Sequence, residues 1–266
     1  MKSPVPILMY HEIAAASATT SRLAVEPDAF AGQLAHLHNQ GFTTMTAAGL
    51  AATLADPALP LPDRPIVLTF DDGFADFQDA ALPLLQRYGF TGTLFVTTGW
   101  IQDAGPWSSG SRPGRMLSWK QIAEAADVGI EIGAHSHKHP ELDQLPNRHV
   151  REELRTSKAQ LEDRLGRAVP GMAYPFGYSS ARVRQVVHDL GYQYACAVGN
   201  AIVGPAADPL ALPRLTVRRT TGLTLFDRII HGSHLPVIFL KDRSLTRGWA
   251  MVRRTRATVG GVSRGA

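Results

Sequence analysis

Short continuous apolar runs recur along this 266-residue chain with amphipathic segments between them, and that alternation constrains the fold more than any other feature. A run buried on both faces is what a strand of a parallel sheet requires, because helices cover both sides of such a sheet. The runs fall at residues 5–10, 42–45, 65–70, 91–97, 130–134, 171–174, 192–198 and 214–217. Between them, residues 27–40, 46–55, 74–88, 118–128, 147–165 and 180–190 carry helical patterning. Phe30, Leu34 and Leu37 share one face of the first of these, and Val150, Leu154, Leu161 and Leu165 form a stripe on the fifth. Ser118-Trp119-Lys120-Gln121 has the form of a capping box, Asn147 is placed to cap the long fifth helix, and Gly41, Gly89, Gly129 and Gly166 stand as stops. Such βα alternation predicts an α/β fold with a parallel sheet closed, or nearly closed, into a barrel. Residues 102–117, rich in Gly, Ser and Pro and containing Trp107, form the one long connection.

Composition narrows the function classes. No apolar run approaches the ~20 residues of a membrane span, and the N-terminal run is cut by His11 and Glu12 before a signal-peptide core is complete. A cytoplasmic location without signal peptide is therefore expected. The single cysteine, Cys196, excludes an internal disulfide and reads as a small buried strand residue. Residues 235–266 carry seven basic side chains against Asp242 alone, so the net charge of +4 leaves residues 1–234 at −2. The main domain thus lacks the basic face that nucleic acid needs. We expect one domain over 1–234 and a basic tail over 235–266, disordered or lying on an anionic membrane surface through Val237, Ile238, Phe239, Leu240 and the interspersed arginines.

The chemistry-bearing residues sit where apolar runs end. Residues 65–70 run into Asp71-Asp72-Gly73, residues 130–134 into His135-Ser136-His137-Lys138-His139-Pro140, and residues 171–173 into Tyr174-Pro175-Phe176-Gly177. Sites in parallel α/β folds form at the carboxyl ends of strands. Neighbouring side chains on an extended backbone point apart, so Asp71 and Asp72 can divide proton handling and metal binding between them. Helix capping is the plainer use of an Asp before Gly. His135 and His139 can face one metal if the backbone turns, whereas an extended backbone would align His135, His137 and His139. One carboxylate and two imidazoles suit catalytic Zn²⁺, with non-haem Fe²⁺ an alternative. His36 and His38 read as solvated helix residues, and His231 and His234 as surface residues.

Over roughly residues 5–220 the chain resembles the NodB-homology polysaccharide deacetylases, carbohydrate esterase family four. Thr69-Phe70-Asp71-Asp72-Gly73 is similar to the family's first motif, His135-Ser136-x-x-His139-Pro140 to its second and Tyr174-Pro175-Phe176-Gly177 to its third. The resemblance implies a distorted (β/α)-barrel of about seven parallel strands. It implies Asp71 as general base, Asp72, His135 and His139 as ligands of one divalent metal (Zn²⁺, or Co²⁺, Ni²⁺ or Fe²⁺), and a groove wall whose Phe176 N–H helps hold the oxyanion. The substrate implied is an N-acetylated glycan. Two departures stand out. Ala173 occupies the place of an arginine that commonly supports the catalytic aspartate, with Arg214 as candidate substitute. Leu212-Pro213-Arg214-Leu215 has no histidine where a late Leu-x-His motif supplies the acid. Leu8-Met9-Tyr10-His11, however, resembles the N-terminal Tyr-His motif of the branch that deacetylates poly-N-acetylglucosamine, which assigns His11 the acid role. A hydrogen-bonded histidine at a strand end is the plainer reading of His11. The missing arginine keeps other carbon–nitrogen hydrolases open, such as an amino-sugar deformylase or a cyclic-ureide hydrolase. An inactive glycan-binding domain would be expected to lack Asp71 or a metal ligand.

Overall fold

In a computed structural model, which describes residues 4–15, 22–56, 58–105, 108 and 113–242, the apolar runs form eight parallel strands. These are β1 (Ile7–Tyr10), β2 (Thr43–Met45), β3 (Pro65–Phe70), β4 (Thr93–Val96), β5 (Glu131–Ala134), β6 (Gly171–Ala173), β7 (Tyr194–Cys196) and β8 (Leu215–Thr216). The helices are α1 (Pro27–Asn39), α2 (Ala47–Ala55), α3 (Leu82–Arg87), α4 (Trp119–Asp127), α5 (Asn147–Leu165), α6 (Ala181–Asp189), α7 (Leu223–Ile230) and α8 (Leu235–Ile238). Seven strands follow the order β7-β6-β5-β4-β3-β1-β8. β2 pairs with the first half of β3 and β4 with the second, both opposite β1. The sheet curls, and the segment entering β8 spans the gap: Leu212 bonds the backbone of β7 through Ala195 O and Ala197 N, while β8 itself pairs with β1. The result is the distorted (β/α)-barrel expected.

Period-two alternation sorts the strand side chains between two cores. Leu8, Tyr10, Ile66, Leu68, Phe70, Leu94 and Ala195 face the helices. Ile7, Val67, Phe95, Ala173, Tyr194 and Cys196 point inward, where Leu50 and Ala51 of α2 join them. The barrel interior is tight. A Cβ on Gly171 would lie 1.9 Å from the Tyr194 ring, so β6 and β7 can approach only through a glycine. Cys196 is buried, as its flanks suggest.

Some local expectations need correction. The segment 74–88 is a π-helical turn, Phe77–Ala81, followed by α3, because Pro83 lacks the N–H that a continuous α-helix would use. Asn147 is the first residue of α5, with Pro146 at the cap position; its side chain accepts from Arg182 instead. His38 is exposed, but His36 is half-buried and pairs with Asp227 at 2.8 Å. The first residues of the expected tail pack onto the domain: Leu235 and Phe239 join the outer core, and Asp242 makes a two-pronged ion pair with Arg218. Residues 243–266, like Trp107, lie outside the described residues. No helix among the described residues is long and apolar enough to cross a membrane.

Candidate active site

The inward-pointing positions of three strands continue past their ends into one rim, and a residue just ahead of a fourth reaches it. Val67 and Thr69 lead to Asp71, Ile7 and Met9 to His11, and Glu131 and Gly133 to His135, while Arg214, just before β8, and Thr216 within it face the same side. Asp71 is buried and takes two charge-assisted bonds from the fully buried Arg214, Nη1 to Oδ1 at 2.6 Å and Nη2 to Oδ2 at 2.7 Å. Arg214 is itself fixed by Thr69 Oγ1 at 3.1 Å and Ala197 O at 3.3 Å. Burial pushes the Asp71 carboxyl up, but Arg214, with His135 and His11, outweighs it and holds the group well below the usual carboxylate range. The arginine absent at Ala173 is thus met spatially from the other end of the sequence.

His11 Nε2 lies 4.0 Å from Asp71 Oδ2. Its Nδ1 is buried without a hydrogen-bond partner among the described residues, which leaves the reading of a satisfied strand-end histidine without support. Burial pushes His11 down to about 4 against the opposing charge of Asp71, so the ring is neutral at pH 7.

On the other side of Asp71, the chain turns sharply. Asp72, Ser136 and His139 have φ of 76°, 62° and 57°, left-handed values that non-glycine residues adopt only under local constraint. Asp72 and Asp71 cap no helix; the π-turn begins after Asp76. The turn at Ser136 and His139 brings His135 and His139 together and sends His137 away, its Nδ1 bonded to Thr98 Oγ1 at 2.9 Å. Asp72 Oδ1 is 3.4 Å from both His135 Nε2 and His139 Nε2, and the three ligand atoms all lie within 4.8 Å of one another. That oxygen is buried and has no hydrogen-bond partner among the described residues. Burial, reinforced by the charge of Asp71, pushes Asp72 up to about 8, while burial pushes His139 down to about 3 and lowers His135 as well. An orphaned carboxylate oxygen facing two neutral imidazoles is what a divalent cation would satisfy, and the donor set of two nitrogens and one oxygen fits Zn²⁺. His135 Nδ1 donates to Ala173 O at 2.9 Å, leaving its Nε2 lone pair directed at the site.

The His139 ring is flanked by Trp100, centroids 4.9 Å apart, and Phe176, 4.7 Å apart. Phe176 is half exposed, in a left-handed turn after Pro175, and stacks on Tyr178. Tyr174, by contrast, is buried and donates to Leu210 O, so it supports the wall from behind. Gly177 forms the wall itself: its φ is +75°, and a Cβ there would meet Val198 at 2.3 Å. Phe176, Gly177 and Tyr178 border a cleft of about 420 Å³, large enough for a sugar unit, that His11, Asp71, Asp72, His135, His139 and Arg214 also line, whereas Trp100, Tyr174 and Pro175 stand behind it. His231 and His234 are exposed, as expected, and do not line it.

A family model described as polysaccharide deacetylase matches residues 58–195, just over half of the chain. The protein belongs to the polysaccharide deacetylase family. His11 and Arg214 lie outside the matched segment. YxkH of Bacillus subtilis (strain 168), named for the same family, is 28% identical over 189 residues, 71% of this chain and 62% of that protein. The poly-β-1,6-N-acetyl-D-glucosamine N-deacetylase of Staphylococcus epidermidis is 25% identical over 174 residues, 62% of this chain and 58% of the relative. The chain therefore spans about three-fifths of the length of these relatives. Among solved structures, the Streptococcus pyogenes deacetylase PplD in complex with acetate superposes with a TM-score of 0.77 at 27% identity, covering 86% of this chain and 99% of that one. A polysaccharide deacetylase of Bacillus cereus gives 0.73 at 26% identity, covering 86% and 69%.

Sequence reasoning missed three contributors. Trp100 follows β4 as one aromatic among many and carries no periodic mark. The Ala173 carbonyl that orients His135 is a backbone group, invisible to residue type. Glu153, whose Oε2 accepts the N–H groups of His137 and Lys138, did leave a signal, a charge on the buried stripe of α5 between Val150 and Leu154.

Proposed function

We propose that this protein is a metal-dependent N-deacetylase of N-acetylglucosamine-type oligo- or polysaccharides. The observation that carries the reading is the rim itself: an ionised Asp71 locked to Arg214, with His11 on one side and the Asp72/His135/His139 cluster on the other. Asp72, His135 and His139 would hold the divalent ion, which supplies Lewis acidity toward water and the acetamide carbonyl. Asp71 accepts the proton of the attacking water. His11, neutral at rest, receives a proton during the reaction and passes it to the leaving nitrogen; Asp71 Oδ2, 4.0 Å from its Nε2, is placed to supply that proton. The N–H of Phe176 is assigned to the developing oxyanion. Water adds to the acyl carbon, the C–N bond breaks, and acetate and a free amino sugar leave.

The arrangement of His11 and Arg214 supports the branch with an N-terminal Tyr-His motif, and the activity for which the staphylococcal relative is named supports the sugar class. The case for a deformylase or ureide hydrolase rested on a missing arginine, and the Arg214–Asp71 contact weakens it. The deciding experiment is acetate release from N-acetylglucosamine oligomers with and without added Zn²⁺, beside Asp71→Asn. No release from the metal-replete protein, or equal release from Asp71→Asn, would sink the proposal.

A further inference from the structure

The segment joining His135 to His139 is clamped from both sides. After β4, Gly99 N donates to His137 O at 2.8 Å, Thr98 N to Ser136 O at 3.3 Å, and the Thr98 hydroxyl meets the His137 ring. From α5, a single carboxylate oxygen, Glu153 Oε2, accepts the N–H of His137 at 3.1 Å and of Lys138 at 2.7 Å. Glu153 is 8% exposed and sits among Val150, Leu154, Ser157 and Leu161, on the buried face where packing alone would call for an apolar side chain. Two successive N–H groups beside a left-handed residue form a concave anion site, and here Ser136 has φ 62° and His139 φ 57°. The anion that fills it belongs to the protein's own helix.

We propose that Glu153 is a positioning residue for the metal centre. It touches neither substrate nor the Asp72/His135/His139 cluster, but it fixes the backbone between the two histidines in the turn that brings His139 Nε2 to 3.4 Å from Asp72 Oδ1. Without an acceptor at Oε2, the two N–H groups lose their partner and the turn loses the contact that opposes its left-handed strain. The inference rests on the reading of those three residues as metal ligands.

The test is the Zn²⁺ dissociation constant, measured by competition with a chromogenic chelator, together with thermal melting of the chelator-stripped protein. Glu153→Met keeps the volume and removes the acceptor; it should weaken Zn²⁺ by roughly 10–100-fold, as loss of groups that orient ligands does. Glu153→Asp, one methylene short and the milder change if the Met variant fails to fold, should weaken it several-fold. Glu153→Gln can still accept both N–H groups with its amide oxygen and should recover most of the affinity. Glu162→Gln, on the same helix and bonded to Val169 N and Lys158, should alter melting without altering affinity. Wild-type affinity in Glu153→Met and Glu153→Asp would overturn the proposal, as would equal weakening in Glu162→Gln. Asp72→Ala separates the two levels: if it binds Zn²⁺ as the wild type does, the ligand assignment itself has failed. If it loses Zn²⁺ while the Glu153 variants keep it, only the positioning role has failed.

Discussion

Arg214→Met is the perturbation that most directly exposes the logic of the site. Arg214 and Asp71 are 0% and 2% exposed and joined by two bonds, so removing the guanidinium leaves a carboxylate buried without its counter-charge. Breaking a buried pair from one side typically costs about 3–5 kcal/mol, mostly the penalty of the stranded charge. The lost bonds to Thr69 and Ala197 add to it. For a domain of this size that is a fall of roughly 6–20 °C in melting temperature. The pH dependence has a definite sign. In the wild type the Asp71 carboxyl is lowered on folding, so its contribution is complete above the unfolded value near 3.9 and is lost progressively as pH falls from there through the folded value. In Arg214→Met burial acts with less opposition, the folded pKa rises above the unfolded one, and the charged form costs stability at pH 7. The deficit against wild type should therefore be largest near neutrality and shrink in acid. Urea unfolding of chelator-treated protein at pH 7 and pH 4.5 measures this without interference from metal. Asp71→Asn on top of Arg214→Met removes the stranded charge and should recover about half of the loss. A deficit under about 1 kcal/mol, or a double variant no more stable than Arg214→Met, would refute the argument.

Other outcomes follow from the same geometry. Purified protein should carry about one divalent ion per chain by elemental analysis; Asp72→Ala and His135→Ala should lose it, while Asp71→Asn and His137→Ala keep it. His11→Ala should lower turnover on an acetamide by roughly 10²–10⁴-fold, and by less on an activated acetate ester, whose leaving group needs no proton; equal losses on both would leave His11 a positioning role only. Gly177→Ala, which meets both a positive φ and Val198, should cost about 1–3 kcal/mol and activity with it, measurable by melting and acetate release. For the basic tail, liposome sedimentation should compare the full chain with one ending at Asp242 rather than inside α8, because residues up to Asp242 pack on the domain; equal binding would remove the membrane reading.

Much of this site was legible because it is built from local signals that share one period. Apolar runs marked the strands, and each ends in the residues it presents, so Asp71, Asp72 and His135 could be named without knowing what lay beside them. The choice of His139 over His137 was not fixed by spacing; it depends on left-handed turns at Ser136 and His139 that residue type does not announce. Arg214 was harder still, since it stands just before a strand of two residues, which offers little pattern, and its partner lies 143 positions away. Parity supplies the missing link. Val67 and Thr69 on the inner face of β3 lead to Asp71 just past its end, and Arg214 just before β8 has the parity of Thr216, so once the curl brings β8 beside β1 the interior leaves a buried arginine few partners other than that carboxylate. The same reasoning applies to Glu153. A charge on a buried stripe is costly unless something compensates it, and what compensates it here is the backbone of the loop that carries the histidines. Acids and bases placed where packing would choose an apolar side chain are therefore the positions at which a sequence of this kind points beyond its local structure toward its chemistry.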